Sequence, residues 1–566
     1  MPTPDPIHSR AALAERYGPR YRWLVLASVM IGTVASIMAA TIINVAVPDM
    51  SRVFALGHER AQWLSAGFMG AMTLSMLTTP WLLARYGYRH AYTGAVVVLM
   101  AGGIVGGFSP WFDLVLAARV AEGLAAGVLQ PIPAIVILHA FSAGERGKAM
   151  GIFGFGVVLA PALGPSIGGI LVEAFGWRSI FFVVTPFCLL AMVMAQRYLP
   201  IGAPGGEPIS KSGGRLDVVG LGLIAIAVLA LLNGMVHLHG ATLDVGLALL
   251  ACSVVATIGF VFHQRRGAKP LMALSLFDHR AFAMGGTVAF IYGMALFGST
   301  YLVPVFMQEA LHLPPSQAGA VLLPAGLVLA VTIPIAGRLA DRIAVSRMVS
   351  AGLVLLAASF FLMLGVGTAT ALALITLWAV IGRLGLGMIM PSLNLGAMQG
   401  VSNALIAQGS STINFLRQLG GAVGIGLVGN VLEWRLRTHA AAPLAAFHET
   451  FALVGAITAW AVVGRLGLGM IMPSLNLGSM QGVPDTLIAH GSSTINFLRQ
   501  LGGAFGIGLV GNVLEWRLGA HPSQPIAAFH ETFALVGVIT ACAIVAAWRI
   551  RPLRRPSTTE NDPRPS

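Results

Sequence analysis

Charge is what this sequence lacks most. Only 10% of its 566 residues are Asp, Glu, Lys or Arg, where a soluble domain carries about a quarter. With 56% hydrophobic residues besides, the chain is not solvated mainly by water, and the soluble enzyme and soluble binding domain are excluded. Cysteine is nearly absent as well. Cys188, Cys252 and Cys542 stand in apolar runs with no CxxC pair and no neighbouring histidine, so they read as small hydrophobes and neither a metal nor a redox centre is expected. No GxxxxGK[ST] loop is present to hold ATP, HExxH does not occur, and the one GxSxG match, GPSIG at 164–168, lies inside an apolar run and not at a strand-to-helix turn, which leaves hydrolase chemistry little support. The sequence therefore predicts no enzyme and no cofactor.

What is there is apolar length. Runs of about 20 residues, each able to cross a bilayer core, recur near 22–48, 61–84, 92–109, 113–139, 148–173, 178–198, 216–236, 244–263, 281–308, 316–338, 347–367, 370–398 and 404–433. Backbone polar groups find no water in lipid, and the short alternating segments of a β-barrel are missing, so an all-α membrane protein is expected. The first run is too long for a signal-peptide core and is read as the first span.

Acids number 21 against 34 Lys and Arg, a net charge of +13. In a soluble domain that balance would suggest nucleic acid. Here the placement of the cations excludes that partner: Arg10, Arg16, Arg20, Arg85, Arg89, Arg146, Lys148, Arg265, Arg266, Lys269, Arg342, Arg347 and the group from Arg549 to Arg555 fall on one side of an alternating topology. This is the positive-inside bias, and it predicts a multi-pass inner-membrane protein with both termini cytoplasmic. The expected organisation is a cytoplasmic tail over 1–21, a six-helix bundle over 22–198, a Gly/Pro/Ser-rich linker over 199–215, two central spans over 216–263, a second bundle over 281–550 and a tail over 551–566.

Residues 378–459 return almost verbatim as 460–541, with 68 of 82 positions identical. WAVIGRLGLGMIMPSLNLG at 378 comes back as WAVVGRLGLGMIMPSLNLG at 460. Most of the loop at 437–444 differs from its copy at 519–526, where packing constrains sequence least. A recent tandem duplication, or a gene-model error, explains such identity better than a structural repeat does. The copy adds two spans, an even number, so the predicted side of the C-terminus is unchanged.

Polar residues inside the apolar runs are few enough to be candidates one by one. LAARVAEGLAAGVLQPIP (116–133) puts Arg119 and Glu122 three apart, on one helix face, where they can pair. Charge buried in lipid is costly, so the pair is expected to face a polar cavity; the plainer reading is an ion pair that locks helices. Glu122 is the one acid placed well inside a span. GVVLAPALGPSIGGILVEAFGWRS (156–179) gathers Gly164, Pro165, Gly168 and Gly169 in one helix, a proline to bend it and glycines to let another helix lie close. Arg383, Asn414, Arg417 and Gln418 either line a central cavity or glue helices together, as do the copies Arg465, Asn496, Arg499 and Gln500. In the loop GRLADR (337–342), Gly337, Asp341 and Arg342 are expected to latch helix ends.

Together these segments resemble the major facilitator superfamily, and within it the fourteen-span drug:proton antiporters of the EmrB/QacA type, over roughly residues 20 to 550. The resemblance makes GPSIGG the antiporter motif, Arg119 and Glu122 the proton relay, and GRLADR a cytoplasmic loop motif. It implies two pseudo-symmetric six-helix bundles, two central linker spans and here about two extra spans from the duplication. The function implied is proton-coupled efflux of drugs or other small molecules by alternating access. Relatives also suggest a periplasmic membrane-fusion adaptor and an outer-membrane channel as partners.

Two departures weaken the match. PWLLARYGYR (80–89) has Ala84 where the family has Asp and Pro80 where it has Gly. MAATIINVAVPDM (38–50) has Ala39 in place of an acid that relatives use for protons or cationic substrates, leaving Asn44 as the polar contact. Alternative expectations are therefore an exporter or facilitator of an endogenous metabolite or organic anion, or a non-transporting paralogue impaired by its duplication.

Overall fold

The computed structural model describes residues 10–55, 58–202, 215–237, 243–267, 270–367, 369–439, 443–459 and 461. Regular structure among them is helical throughout, as lipid demands of a spanning chain. A short helix α1 (Arg10–Tyr17) leads into α2 (Tyr21–Val53), α3 (His58–Ser75), α4 (Thr79–Phe108), α5 (Phe112–Leu129), α6 (Ile132–Ala140), α7 (Arg146–Phe175) and α8 (Ser179–Tyr198). Next come α9 (Val218–Val236) and α10 (Leu243–Arg266), then α11 (Arg280–Val305), α12 (Pro315–Ala340), α13 (Val345–Leu362), α14 (Leu372–Ala397), α15 (Ile406–Thr438) and an apolar α16 (Pro443–Ala459). Ala459 closes the first copy, and the second copy beyond residue 461, with its predicted spans and Cys542, lies outside the described residues, as does most of the 201–214 linker.

One turn falls in a break that the hydropathy already marks, and one predicted run is divided in two. The helical stretch Trp63–Phe108 has 46 residues, about 69 Å if straight, so it cannot be one crossing. It turns at Gly87, whose φ of 79° and ψ of 168° are open to glycine and strained for other residues. The run predicted over 113–139 breaks into α5 and α6 at Gln130–Pro131, because Pro131 and Pro133 lack the amide hydrogens a continuous helix needs.

In the first half, α2 packs on α7 and α8, α5 on α3 and α4, and α4 on α8. In the second, α11 packs along α15, and α14 lies between α12 and α13. The α9/α10 hairpin is set against α15, where Asn430 Nδ2 donates to the carbonyl of Met235 (2.8 Å). At its foot Asp217 accepts from Gly220 N (2.8 Å) and Gln264 Nε2 (2.6 Å) and contacts His263 Nε2 (2.7 Å).

The ends bearing the loop cations, the basic end below, are tied by those cations. Arg89 Nε donates to the carbonyl of Leu199 (2.7 Å), and Arg146 Nη2 to that of Leu138 (2.7 Å), near the C-terminus of α6. Both satisfy carbonyls that a helix end leaves open. Arg22 forms a bidentate pair with Glu145. A hydrogen bond from Ser142, together with the Arg22 and Lys148 charges, outweighs some desolvation and holds that carboxyl below the usual range.

Candidate transport site

Helix spacing brings Arg119 and Glu122 together, and the neighbouring helices seal them in. Arg119 Nη1 meets Glu122 Oε2 at 2.5 Å, and each side chain is only 2% exposed. Arg119 Nε donates to the carbonyl of Leu64 (3.3 Å), and the guanidinium stacks 4.2 Å from the Phe68 ring centroid on α3. The fit depends on two glycines of α4. A Cβ on Gly102 would come within 2.6 Å of Glu122 Cγ, and one on Gly103 within 2.9 Å of the Phe181 carbonyl oxygen. Arg119 Nη2, although buried, has no hydrogen-bond partner. Beside the pair is a small cavity lined also by Ala39, Ile42 and Ile43 of α2 and by Ile180, Phe181 and Val184 of α8. Ala39, where the resemblance would put an acid, therefore faces the buried ion pair.

Among the described residues, the second half places two arginines inside its spans with no carboxylate partner. Arg417 Nη2 donates to Asn414 Oδ1 (3.0 Å), and Asn414 Nδ2 donates back along α15 to the carbonyl of Ser410 (3.0 Å). Arg383, half-buried on α14, reaches Thr300 Oγ1 at 3.4 Å and borders a cavity with Ser299, Ser359 and Phe360. Buried Tyr292 on α11 is in electrostatic reach of both guanidiniums. Gln418 is buried one residue beyond Arg417. The side chain of Asn44 lies outside the described ones.

The two halves meet at the basic end. Asp341, in the α12–α13 loop, accepts from the backbone amides of Gly147 (2.6 Å) and Lys148 (2.9 Å), so its carboxylate caps the N-terminus of α7 from across the seam. Gly337 packs on Gly147 and Gly151, Gly154 receives Ile333, and any Cβ at Gly337 would strike backbone. Ser410 Oγ donates to the Pro131 carbonyl (3.3 Å) in the same seam.

Of the loop residues singled out in the sequence, Gly337 and Asp341 form this contact, while Arg342 is exposed and takes no part. In the GPSIGG segment, Gly168 abuts Ile42 of α2 and Gly169 has open space around it; the side chains at Gly164 and Pro165 lie outside the described ones. The glycines that carry the seam, Gly147, Gly151 and Gly154, were not among the candidates. Their small-residue spacing in RGKAMGIFG (146–154) was the available signal, as Gly102–Gly103 was for the floor under Glu122.

The profile of the family described as "Major Facilitator Superfamily" matches residues 29–425, more than half of the chain. The chain belongs to the major facilitator superfamily. It is 30% identical over 416 residues to the Multidrug resistance protein B homolog of Mycobacterium tuberculosis (strain H37Rv), covering 71% of this chain and 75% of that one. To the lincomycin resistance protein LmrB of Listeria monocytogenes it is 28% identical over 408 residues, 71% of this chain and 84% of that one. Its fold is that of solved superfamily members. The human organic anion transporter MFSD10 (TETRAN) superposes with a TM-score of 0.56 at 17% identity, over 78% of this chain and 99% of that one. The proton:xylose symporter XylE gives 0.56 at 13% identity, over 80% and 96%. These likenesses establish an integral, multi-pass transport protein of the major facilitator fold.

Proposed function

We propose that the protein is a proton-coupled exporter of small amphiphilic molecules in the inner membrane, of the fourteen-span drug:proton antiporter type. The observation that carries this is the Arg119–Glu122 pair, a carboxylate and a guanidinium sealed in a membrane-spanning helix. Intramembrane ionisable groups are costly to keep and mark proton or substrate pathways. The likeness to proteins named for multidrug and lincomycin resistance supports efflux.

In this reading 22–198 and 281–550 are the two moving bundles, 216–263 is the central insert, and the basic end faces the cytoplasm with both termini. Contacts across the seam at that end then correspond to an outward-facing state closed to the cytoplasm. Deprotonated Glu122 holds Arg119. A proton arriving on Glu122 neutralises it, and Arg119 is left with unsatisfied donors facing the cavity beside Ala39. Release of that proton inward drives the return. The gradient supplies about 1.4 kcal/mol per pH unit and about 2.3 kcal/mol per 100 mV.

The test is dye efflux from energised vesicles. Glu122→Gln should abolish the dependence of efflux on an imposed pH gradient while substrate still binds. Gradient-driven transport surviving in that variant would remove Glu122 from the coupling role.

A further inference from the structure

We infer that the substrates are organic anions, recognised by Arg383 and Arg417 of the second bundle. The inference rests on the exporter reading above and adds the charge of the cargo.

The argument is a charge count in the middle of the spans. In the first bundle Arg119 is neutralised by Glu122. In the second, Arg383 and Arg417 each lie near mid-helix, and among the described residues neither is paired with a carboxylate; their polar partners are a hydroxyl and an amide oxygen. Neither oxygen carries the charge needed to offset a guanidinium. Among the described residues the acids of this bundle are Glu309, Asp341 and Glu433, at helix ends or in a loop, and Glu449 in the second turn of α16; Glu433 and Glu449 are occupied by Arg437 and Arg435. Among the described residues, the interior of the two bundles thus carries two cations in excess.

An uncompensated cation in a low-dielectric interior is unfavourable and attracts an anion. A cationic drug would be repelled by both, and position 39, where an acid would favour it, is Ala39 in the cavity beside Arg119. Guanidinium donors suit a planar carboxylate or a sulfonate through paired N–H bonds. Next to Arg383 stand Val303, Leu322, Leu356, Phe360 and Met363, an apolar wall for the body of an amphiphile. Export of such an anion also runs with an inside-negative potential, so coupling does not have to overcome charge.

A charge-matched panel tests this: anionic, neutral and cationic forms of one fluorescent scaffold, with binding followed by polarisation and transport in proteoliposomes under an imposed pH gradient. The anionic form is expected to bind and be exported. Its affinity should fall at least tenfold in Arg383→Gln and in Arg417→Gln, less in the Lys variants that keep the charge. Thermal melting of each variant identifies any that fail to fold, and for those the Lys variant gives the comparison. Transport of the cationic form alone would overturn the inference and leave the exporter reading standing. Anion binding unchanged in both folded Gln variants would also overturn it. If no form is moved by wild-type protein, the exporter reading falls, and this inference with it. If chloride alone binds, displaced by no panel member, the arginines hold a structural counter-ion and the inference is wrong.

Discussion

At the scale of single residues the chemistry depends on how little charge there is inside. Arg119 without Glu122 would be a buried cation in lipid, and breaking such a pair by removing one partner costs about 3–5 kcal/mol. Arg119→Ala and Glu122→Gln should therefore both lower thermal stability; Glu122→Gln, which keeps a hydrogen-bonding amide for Arg119, should do so less while losing coupling outright. Melting temperature measured beside efflux separates the two effects. The pair was legible in the sequence, since i,i+3 spacing on a helix dictates it. Its sealing was not, because that depends on how α3 and α4 pack on α5 to bring Phe68 and Gly102 against the pair. Distance in sequence hid the role of Asp341. A loop acid can be read as a latch, but not that its partner is the N-terminus of α7, 193 residues away.

Among elements, the seam between α7 and α12 is the point where conformation can be controlled. A side-chain N-cap is worth about 1 kcal/mol over alanine, so Asp341→Ala should shift the open–closed balance about fivefold. Gly337→Val should act more strongly, because overpacking against backbone costs about 1–3 kcal/mol. Both are expected to leave folding intact, since the contact joins two bundles and holds neither together. The check is thiol labelling of a cysteine placed at Ser410, in protein lacking its native cysteines. Labelling should accelerate in both variants, and an unchanged rate would show that the seam is not the gate. Hydropathy alone located the spans, because lipid imposes length and helicity. It also placed a break between 84 and 92, where the chain turns at Gly87, but did not show that α5 and α6 part at Pro131, which depends on prolines inside a run that is otherwise apolar.

For the whole molecule the duplication is the open question, since the fold has one place for each helix of the second bundle and the sequence offers two copies of some. Deleting 460–541 rejoins Ala459 to Cys542 and restores a continuous final span. The shortened protein should express at least as well as the full chain and transport equally. If it is inert while the full chain works, the extra pair belongs to the mechanism. C-terminal reporters should be active only in the cytoplasm for both lengths, because two added spans leave the side unchanged. These outcomes bear on architecture, while the central claim is that one carboxylate carries the proton. The most direct measurement is proton release from purified protein in weak buffer when a transported substrate is added. If substrate held by the second bundle selects the state in which Glu122 is deprotonated, as antiport requires, wild-type protein should release up to about one proton per substrate bound, and Glu122→Gln none. Equal release from both proteins would contradict the account.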